Sequence, residues 1–227
     1  NKFHKLDIND YSTIINFSTN KDFYNERYSY KNDFDLHISE RIKNTDIKLI
    51  LFSTSKIYKS NFNIKEKSKK LPVGNYAKNK YISEKKVTKI LKNYIIFRTA
   101  NIFGRRLAKS KRGITYTFID QFFSNIKKKK IIVPKKEFFK DFLLMEDFCK
   151  LVFKSMDKIK GVYNLSSNKK TSLHEIARLT HIITKFPILY RKVNTDSFTL
   201  DNSKLINKLK FKDKVKIINI EAIKKLL

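Results

Sequence analysis

At 227 residues and 41% hydrophobic content, the chain is long enough for one large domain or a major domain with a smaller partner, and it can bury a sizeable core. Lys and Arg number 51 against 21 Asp and Glu, a formal charge of +30, but the lysines are spread between core segments and only Lys127 to Lys130 is a dense run. A solvated lysine-rich surface that favours phosphorylated ligands accounts for this better than nucleic-acid binding does, the single cysteine excludes an intramolecular disulfide, and the lack of a signal peptide or an apolar run near the roughly 18 residues of a membrane span points to the cytoplasm, with no membrane partner.

Short β-rich runs alternate with longer helical stretches, which predicts an α/β protein with a largely parallel sheet. The interval from Leu6-Asp7-Ile8 to Thr13 is tighter than a strand-helix-strand crossover allows. Thr13 to Phe17, Lys48 to Phe52 and Tyr94 to Phe97 read as buried strands, each ending in polar residues where a parallel sheet places its ligand edge. Between them lie two predicted helices: Asn32 to Asn44, with Phe34, Leu36, Ile38 and Ile42 as its apolar positions, and Tyr76 to Lys92, with Ile82, Val87, Ile90 and Leu91.

After Arg98 the pattern predicts a helix over Tyr116 to Ile126, a short strand over Ile131 to Val133 and a helix over Met145 to Met156. Cys149 sits there in the apolar run Phe148 to Val152, so a buried structural thiol is expected. Gly161 to Leu165 reads as a strand. Ser172 to Thr184 reads as a helix with Ser172 as N-cap and Glu175 at capping-box spacing, and Asp201 to Leu227 as a charged helical tail. His174, Glu175 and His181 do not have the His-Glu-x-x-His spacing of a zinc site, so a solvated helix face and no metal are expected.

Tyr76 and Lys80 stand four apart, on one face of a helix. A phenol is a poor base at neutral pH, and a neighbouring ammonium favours the phenolate. Upstream, Ser53, Thr54 and Ser55 form a hydroxyl cluster at the carboxyl end of a predicted parallel strand, the ligand edge of a doubly wound sheet. Together these residues could bind a substrate oxygen and shuttle its proton.

Phe52 to Tyr58, then Asn75 to Lys80 with Glu84, then Phe97 to Gly104 resemble three successive signatures of the extended short-chain dehydrogenases/reductases. Lys140 to Asp147, Gly161 to Ser166 and Asp201 to Lys204 continue the likeness to the NAD-dependent epimerase/dehydratase family, whose members are nucleotide-sugar epimerases, dehydratases and reductases. The resemblance implies a Rossmann-like doubly wound parallel sheet with a smaller mixed α/β substrate-binding region. Residues 1–104 would hold the dinucleotide-binding part, and 105–227 the substrate-binding region interleaved with returning Rossmann elements.

It further implies Tyr76 as general acid/base, Lys80 lowering its pKa and bonding the nicotinamide ribose, and Thr54, rather than Ser53 or Ser55, holding the substrate hydroxyl or ketone. Ser55, Asn101 and Lys140 would contact the substrate, Lys140 standing where the family has an arginine on the diphosphate. Ser18 and Thr19 would face the cofactor, and Asn32 would open the helix before the catalytic strand. NAD or NADP is the implied cofactor, a nucleotide sugar the substrate, and a homodimer an admissible assembly.

The chain's four glycines form no glycine-rich phosphate loop. The family places that loop upstream of everything seen here, so the resemblance reads the chain as N-terminally truncated by roughly 30 to 60 residues, with an incomplete sheet and no activity as it stands. A noncatalytic remnant or binding protein on the same scaffold, using its basic surface for anionic partners, is the alternative. The residues leave open epimerisation, dehydration or reduction, and NAD or NADP.

Overall fold

The computed structural model describes residues 8–104, 118–193 and 195–227. Its elements in chain order are β1 (Thr13–Asn16), α1 (Asp22–Asn25), α2 (Phe34–Ile42), β2 (Lys48–Thr54), α3 (Gly74–Ile90), β3 (Tyr94–Thr99), β4 (Asn101–Phe103), α4 (Phe118–Lys127), β5 (Ile131–Pro134), β6 (Phe139–Lys140), β7 (Phe142–Leu144), α5 (Met145–Ser155), β8 (Gly161–Leu165), β9 (Thr171–Ser172), α6 (Leu173–Thr184), β10 (Ile188–Arg191), α7 (Ser203–Leu209) and α8 (Ile220–Lys224). They divide into two compact units, Asn1–Lys59 with Lys69–Thr99 and Lys154–Tyr163, and Ser60–Ser68 with Ala100–Phe153 and Asn164–Leu227.

The first unit is an α/β layer structure. Its sheet has the order β1-β2-β3-β8, with β1 parallel to β2 and β2 parallel to β3. Alternation puts Leu49 and Leu51 of β2 and Ile96 of β3 on one face, where they pack against Ile38 and Ile42 of α2 and Val87 of α3. Each such side chain, fully buried, contributes about 1.5–3 kcal/mol. Parallel register carries the carboxyl ends of these strands to one edge, pairing Ser53 with Arg98 and Thr54 with Thr99.

Several expectations for this unit are corrected. Ile8–Asp10 forms a 3-10 turn, while Leu6 and Asp7 lie outside the described residues. Asn32 does not open α2. It ends the 3-10 turn Tyr30–Asn32 and accepts a hydrogen bond from Asn20 Nδ2 at 2.9 Å, and Asp33 caps the helix by accepting from Leu36 N. Phe34, read as a core position, is 38% exposed, because the buried stripe of α2 runs through Asp35, Leu36, Ile38, Ser39 and Ile42.

The second unit holds three two-stranded ladders: β5 parallel to β10, β4 parallel to β7, and β6 antiparallel to β9. Phe103, Phe122, Ile131, Phe142, Leu173 and Ile176 lie in its core. Strand β10 is mostly exposed and lacks alternation, so no apolar period announces it. Tyr116, the predicted start of α4, lies outside the described residues.

In α5 the inward face is Asp147, Phe148, Leu151, Val152 and Ser155, which turns Cys149 out to solvent, contrary to the expected buried thiol. Ser172 caps α6 as its spacing predicts, accepting from His174 N and Glu175 N at 3.1 and 3.2 Å. The Glu175 carboxylate binds Arg178. The two imidazoles are not merely solvated: His174 Nε2 donates to Pro134 O at 2.8 Å and His181 Nδ1 to Phe186 O at 2.7 Å. Nor is the tail one helix. Lys210, at φ +49°, ends α7, and Phe211 N donates back to Ile206 O at 3.0 Å, a closing pattern that buries Phe211. Among the described residues no helix is long and apolar enough to cross a membrane.

Asp141 clamps this unit. Fully buried, it accepts from Ser167 N, Ser167 Oγ and Leu200 N at 2.9, 2.7 and 3.1 Å. Burial pushes its carboxyl above the usual range while these bonds pull it back. Replacing Asp141 with Ala strands three donors and is expected to cost about 3 kcal/mol in urea unfolding. A loss below about 1 kcal/mol would contradict the clamp.

Candidate functional site

Helix α3 buries Ala77, Asn79, Lys80, Ser83, Glu84 and Val87, a face that is mostly polar. Buried polar groups must be paired, and each of these has a partner in the first unit. Asn79 Nδ2 donates to Phe23 O and Glu26 O at 3.2 and 2.9 Å, which fastens the segment around α1. Ser83 Oγ donates to Asp33 Oδ1 at 2.8 Å, and Tyr28 OH donates to Asp33 Oδ2 at 2.8 Å. Glu84 forks onto Arg98 of β3, accepting from Nη2 at 2.7 Å and Nε at 3.1 Å, and Arg98 Nη1 donates to Tyr58 OH at 2.9 Å.

Lys80 is buried as well. Its Nζ donates to Asp35 Oδ2 at 2.9 Å, with both side chains 3% exposed. Asn16, at the end of β1, donates from Nδ2 to the other carboxylate oxygen at 2.6 Å and accepts from Ser18 N through Oδ1 at 2.9 Å. The ion pair is thereby tied to the carboxyl edge of the sheet.

Tyr76, one turn before Lys80, is half-buried, and its ring stacks on Tyr24 of α1 at 4.5 Å and 2°. Burial, Tyr24 and then the Asp35 charge push its phenol above the ordinary value. Burial, the first of these causes, opposes the depression expected from Lys80, and Asp35 pairs the ammonium that would favour the phenolate.

Thr54 ends β2, buried, with Oγ1 accepting from Lys56 N at 3.2 Å, and Ser55 opens the following 3-10 turn. Among the described residues no hydrogen bond joins Thr54 to Tyr76, and the buried Ser53 hydroxyl has no partner. Ser18 is exposed just past β1, and Thr19 half-buried. In the second unit, Asn101 Nδ2 donates to Asp141 O at 3.1 Å. Lys140 is committed to Thr195 Oγ1 and Asp196 Oδ1 at 2.9 and 2.7 Å, and Asp196 also accepts from Ser60 Oγ.

Asp35, Asn16 and Tyr24 are absent from the sequence-derived site. Asp35 had a readable signal: it stands three residues before Ile38 and seven before Ile42, a core position of the helical stripe occupied by an acid. An acid there requires a buried counter-ion. Asn16 and Tyr24 carry no comparable pattern.

A model of the RmlD substrate-binding domain matches residues 20–195. The chain belongs to that family. No curated protein matches the sequence. Among solved structures, this RmlD-family chain is similar to the Bordetella bronchiseptica enzyme WbmG in complex with NAD and UDP, at 20% identity and TM-score 0.76 over 95% of this chain and 71% of that one. It is also similar to UDP-glucuronic acid 4-epimerase from Bacillus cereus in complex with NAD (17%, TM-score 0.74, 96% and 76%) and to Thermotoga maritima UDP-glucose 4-epimerase with UDP-glucose (18%, TM-score 0.75, 94% and 77%). The α/β fold with its parallel sheet is that of these enzymes.

A dinucleotide fits the described residues only in part. Tyr76 and Lys80 share one face of α3, but Lys80 is engaged by Asp35, and the described glycines, Gly74, Gly104 and Gly161, stand singly and build no pyrophosphate cradle. No cluster of His, Cys, Asp or Glu suited to a metal occurs among the described residues.

The Glu84 and Arg98 pair, 4% and 8% exposed, makes a separable prediction. Glu84→Ala leaves a buried guanidinium unpaired and is expected to cost about 3–5 kcal/mol in denaturant unfolding, whereas the neutral pair Glu84→Gln with Arg98→Met should recover more than half of that loss. Equal losses in both variants would contradict the pairing.

Proposed function

We propose that this chain carries the proton-transfer and sugar-binding parts of an NAD(P)-dependent nucleotide-sugar epimerase, dehydratase or reductase of the cytoplasm. The observation that carries the reading is the juxtaposition on α3: Tyr76 and Lys80 one turn apart on a helix packed against β2 and the turn that follows Thr54. Family membership over residues 20–195 supports it. So do the NAD, UDP and UDP-glucose bound by the structural neighbours.

In this reading the Tyr76 hydroxyl exchanges a proton with a sugar hydroxyl or ketone, and Thr54 holds the same oxygen by a hydrogen bond. Asn101 and Lys140 serve the nucleotide sugar, Lys140 as a point charge without the bidentate fork of an arginine. Ser18, Thr19 and Asn32 flank the cofactor edge. The described residues do not cradle the dinucleotide's pyrophosphate.

One observation favours a noncatalytic binding protein on the same scaffold: the ammonium that should assist Tyr76 is taken up by Asp35. Turnover separates the two readings. The protein in its longest natural form, supplied with NAD or NADP and a panel of UDP-sugars and dTDP-sugars, is expected to convert at least one, and Tyr76→Phe to lower kcat by about 100-fold or more with KM little changed. Binding of a nucleotide sugar with no conversion would favour the noncatalytic reading, and a fully active Tyr76→Phe would remove Tyr76 from the chemistry.

A further inference from the structure

We propose that Asp35 is a positioning residue: it holds the Lys80 ammonium as counter-ion and withholds that charge from Tyr76. This rests on the reading of Tyr76 and Lys80 as the proton-transfer pair, and it adds to that pair a control no motif contains. Three observations converge on it. Lys80 and Asp35 meet at 2.9 Å with both side chains 3% exposed, so neither charge has water to turn to. Asn16 holds the second carboxylate oxygen at 2.6 Å and is itself fixed by Ser18 N, which orients Asp35 toward Lys80. Lys80 Nζ also lies 5.9 Å from the centroid of the Phe23 ring, which closes the pocket around the ammonium.

The chemistry follows from charge balance. A free ammonium one helical turn from a phenol stabilises the phenolate, whereas an ammonium paired with a carboxylate presents nearly no net charge, and the carboxylate itself opposes a second anion nearby. The groups acting on the Tyr76 proton are Tyr24 from α1 and Asp35 from α2, and both oppose its loss. Further titratable groups on the elements packed against α3 are Asp22 on α1, Asp33 at the cap of α2, His37, Glu40 and Arg41 on α2, Lys48 on β2, and Lys56 and Tyr58 after it. Burial, Tyr24 and Asp35 together hold the proton on Tyr76, and removing the Asp35 charge would lift one of the three.

Two measurements on the full chain test this without turnover, so failure of the enzymatic reading leaves them intact. In protein labelled with ¹⁵N-lysine, one side-chain ammonium should be protected from water exchange at neutral pH and disappear in Lys80→Met. Absence of any protected signal would overturn the buried pair. In ultraviolet phenolate titration, Asp35→Asn should bring one tyrosine down by about one pH unit or more, equivalent to a tenfold change in its acidity. That shift should vanish in Asp35→Asn with Tyr76→Phe and be undone by Asp35→Glu. Asp35→Ser, which leaves room for a water at the ammonium, provides the same readout if Asp35→Asn does not fold. A folded neutral variant that titrates like the wild type, or a shift that survives removal of the Tyr76 hydroxyl, would overturn the proposal.

Discussion

A lysine ammonium at 3% exposure persists only beside a counter-charge, and in this chain the counter-charge is Asp35 at 2.9 Å. That pair belongs to a wider constraint. Helix α3 turns Asn79, Lys80, Ser83 and Glu84 inward, where each would destabilise the fold if unpaired. Their partners are the backbone around α1, the Asp33 and Asp35 carboxylates at the start of α2, and Arg98 at the end of β3. Because those partners surround α3, satisfying them fixes its rotation against the sheet. The apolar contacts of Leu49, Leu51, Ile96 and Val87 then supply bulk stability beneath a polar layer that supplies orientation. Tyr76 inherits its position from this arrangement, since its ring is carried on the same helix and braced by Tyr24.

The layer also bears on chemistry. A tyrosine that transfers protons near neutral pH needs a positive charge it can use, and Lys80 stands at the right spacing to supply one. Its charge is spent on Asp35, while burial, Tyr24 and Asp35 all hold the proton on the phenol. Lys140 shows the same economy of charge in the second unit, where Asp196 takes the ammonium expected on a diphosphate. In a chain of net charge +30, the two lysines singled out for function are both engaged by acids. The excess of lysine therefore says little about which ammonium groups are free.

How far the sequence was legible follows from what each signal encodes. The strands β1, β2 and β3 were readable because buried apolar runs ending in polar residues have few alternatives, and the α6 cap because Ser172 can satisfy two orphan amides at that spacing. Thr54, Tyr76 and Lys80 were singled out from ordered motifs on consecutive elements, and β2 and α3 carry them. Pairing was not: nothing local to Lys80 or Lys140 names Asp35 or Asp196, which lie 45 and 56 residues away. Cys149 and Phe34 were misread because an apolar run does not state which of its members falls outside the inward stripe, and β10 drew no reading because an exposed strand has no apolar period to detect.

In the proposed enzyme, the strand ends at Asn16 and Thr54, with Tyr76 and Lys80 on α3, serve a dinucleotide. The direct measurement is calorimetric titration of NAD(H) and NADP(H) into the protein in its longest natural form, alongside Lys80→Met. Saturable binding of one cofactor pair, weakened about tenfold or more by Lys80→Met, is the predicted result, the loss of one charged hydrogen bond. Failure of either dinucleotide to bind a folded protein would contradict it.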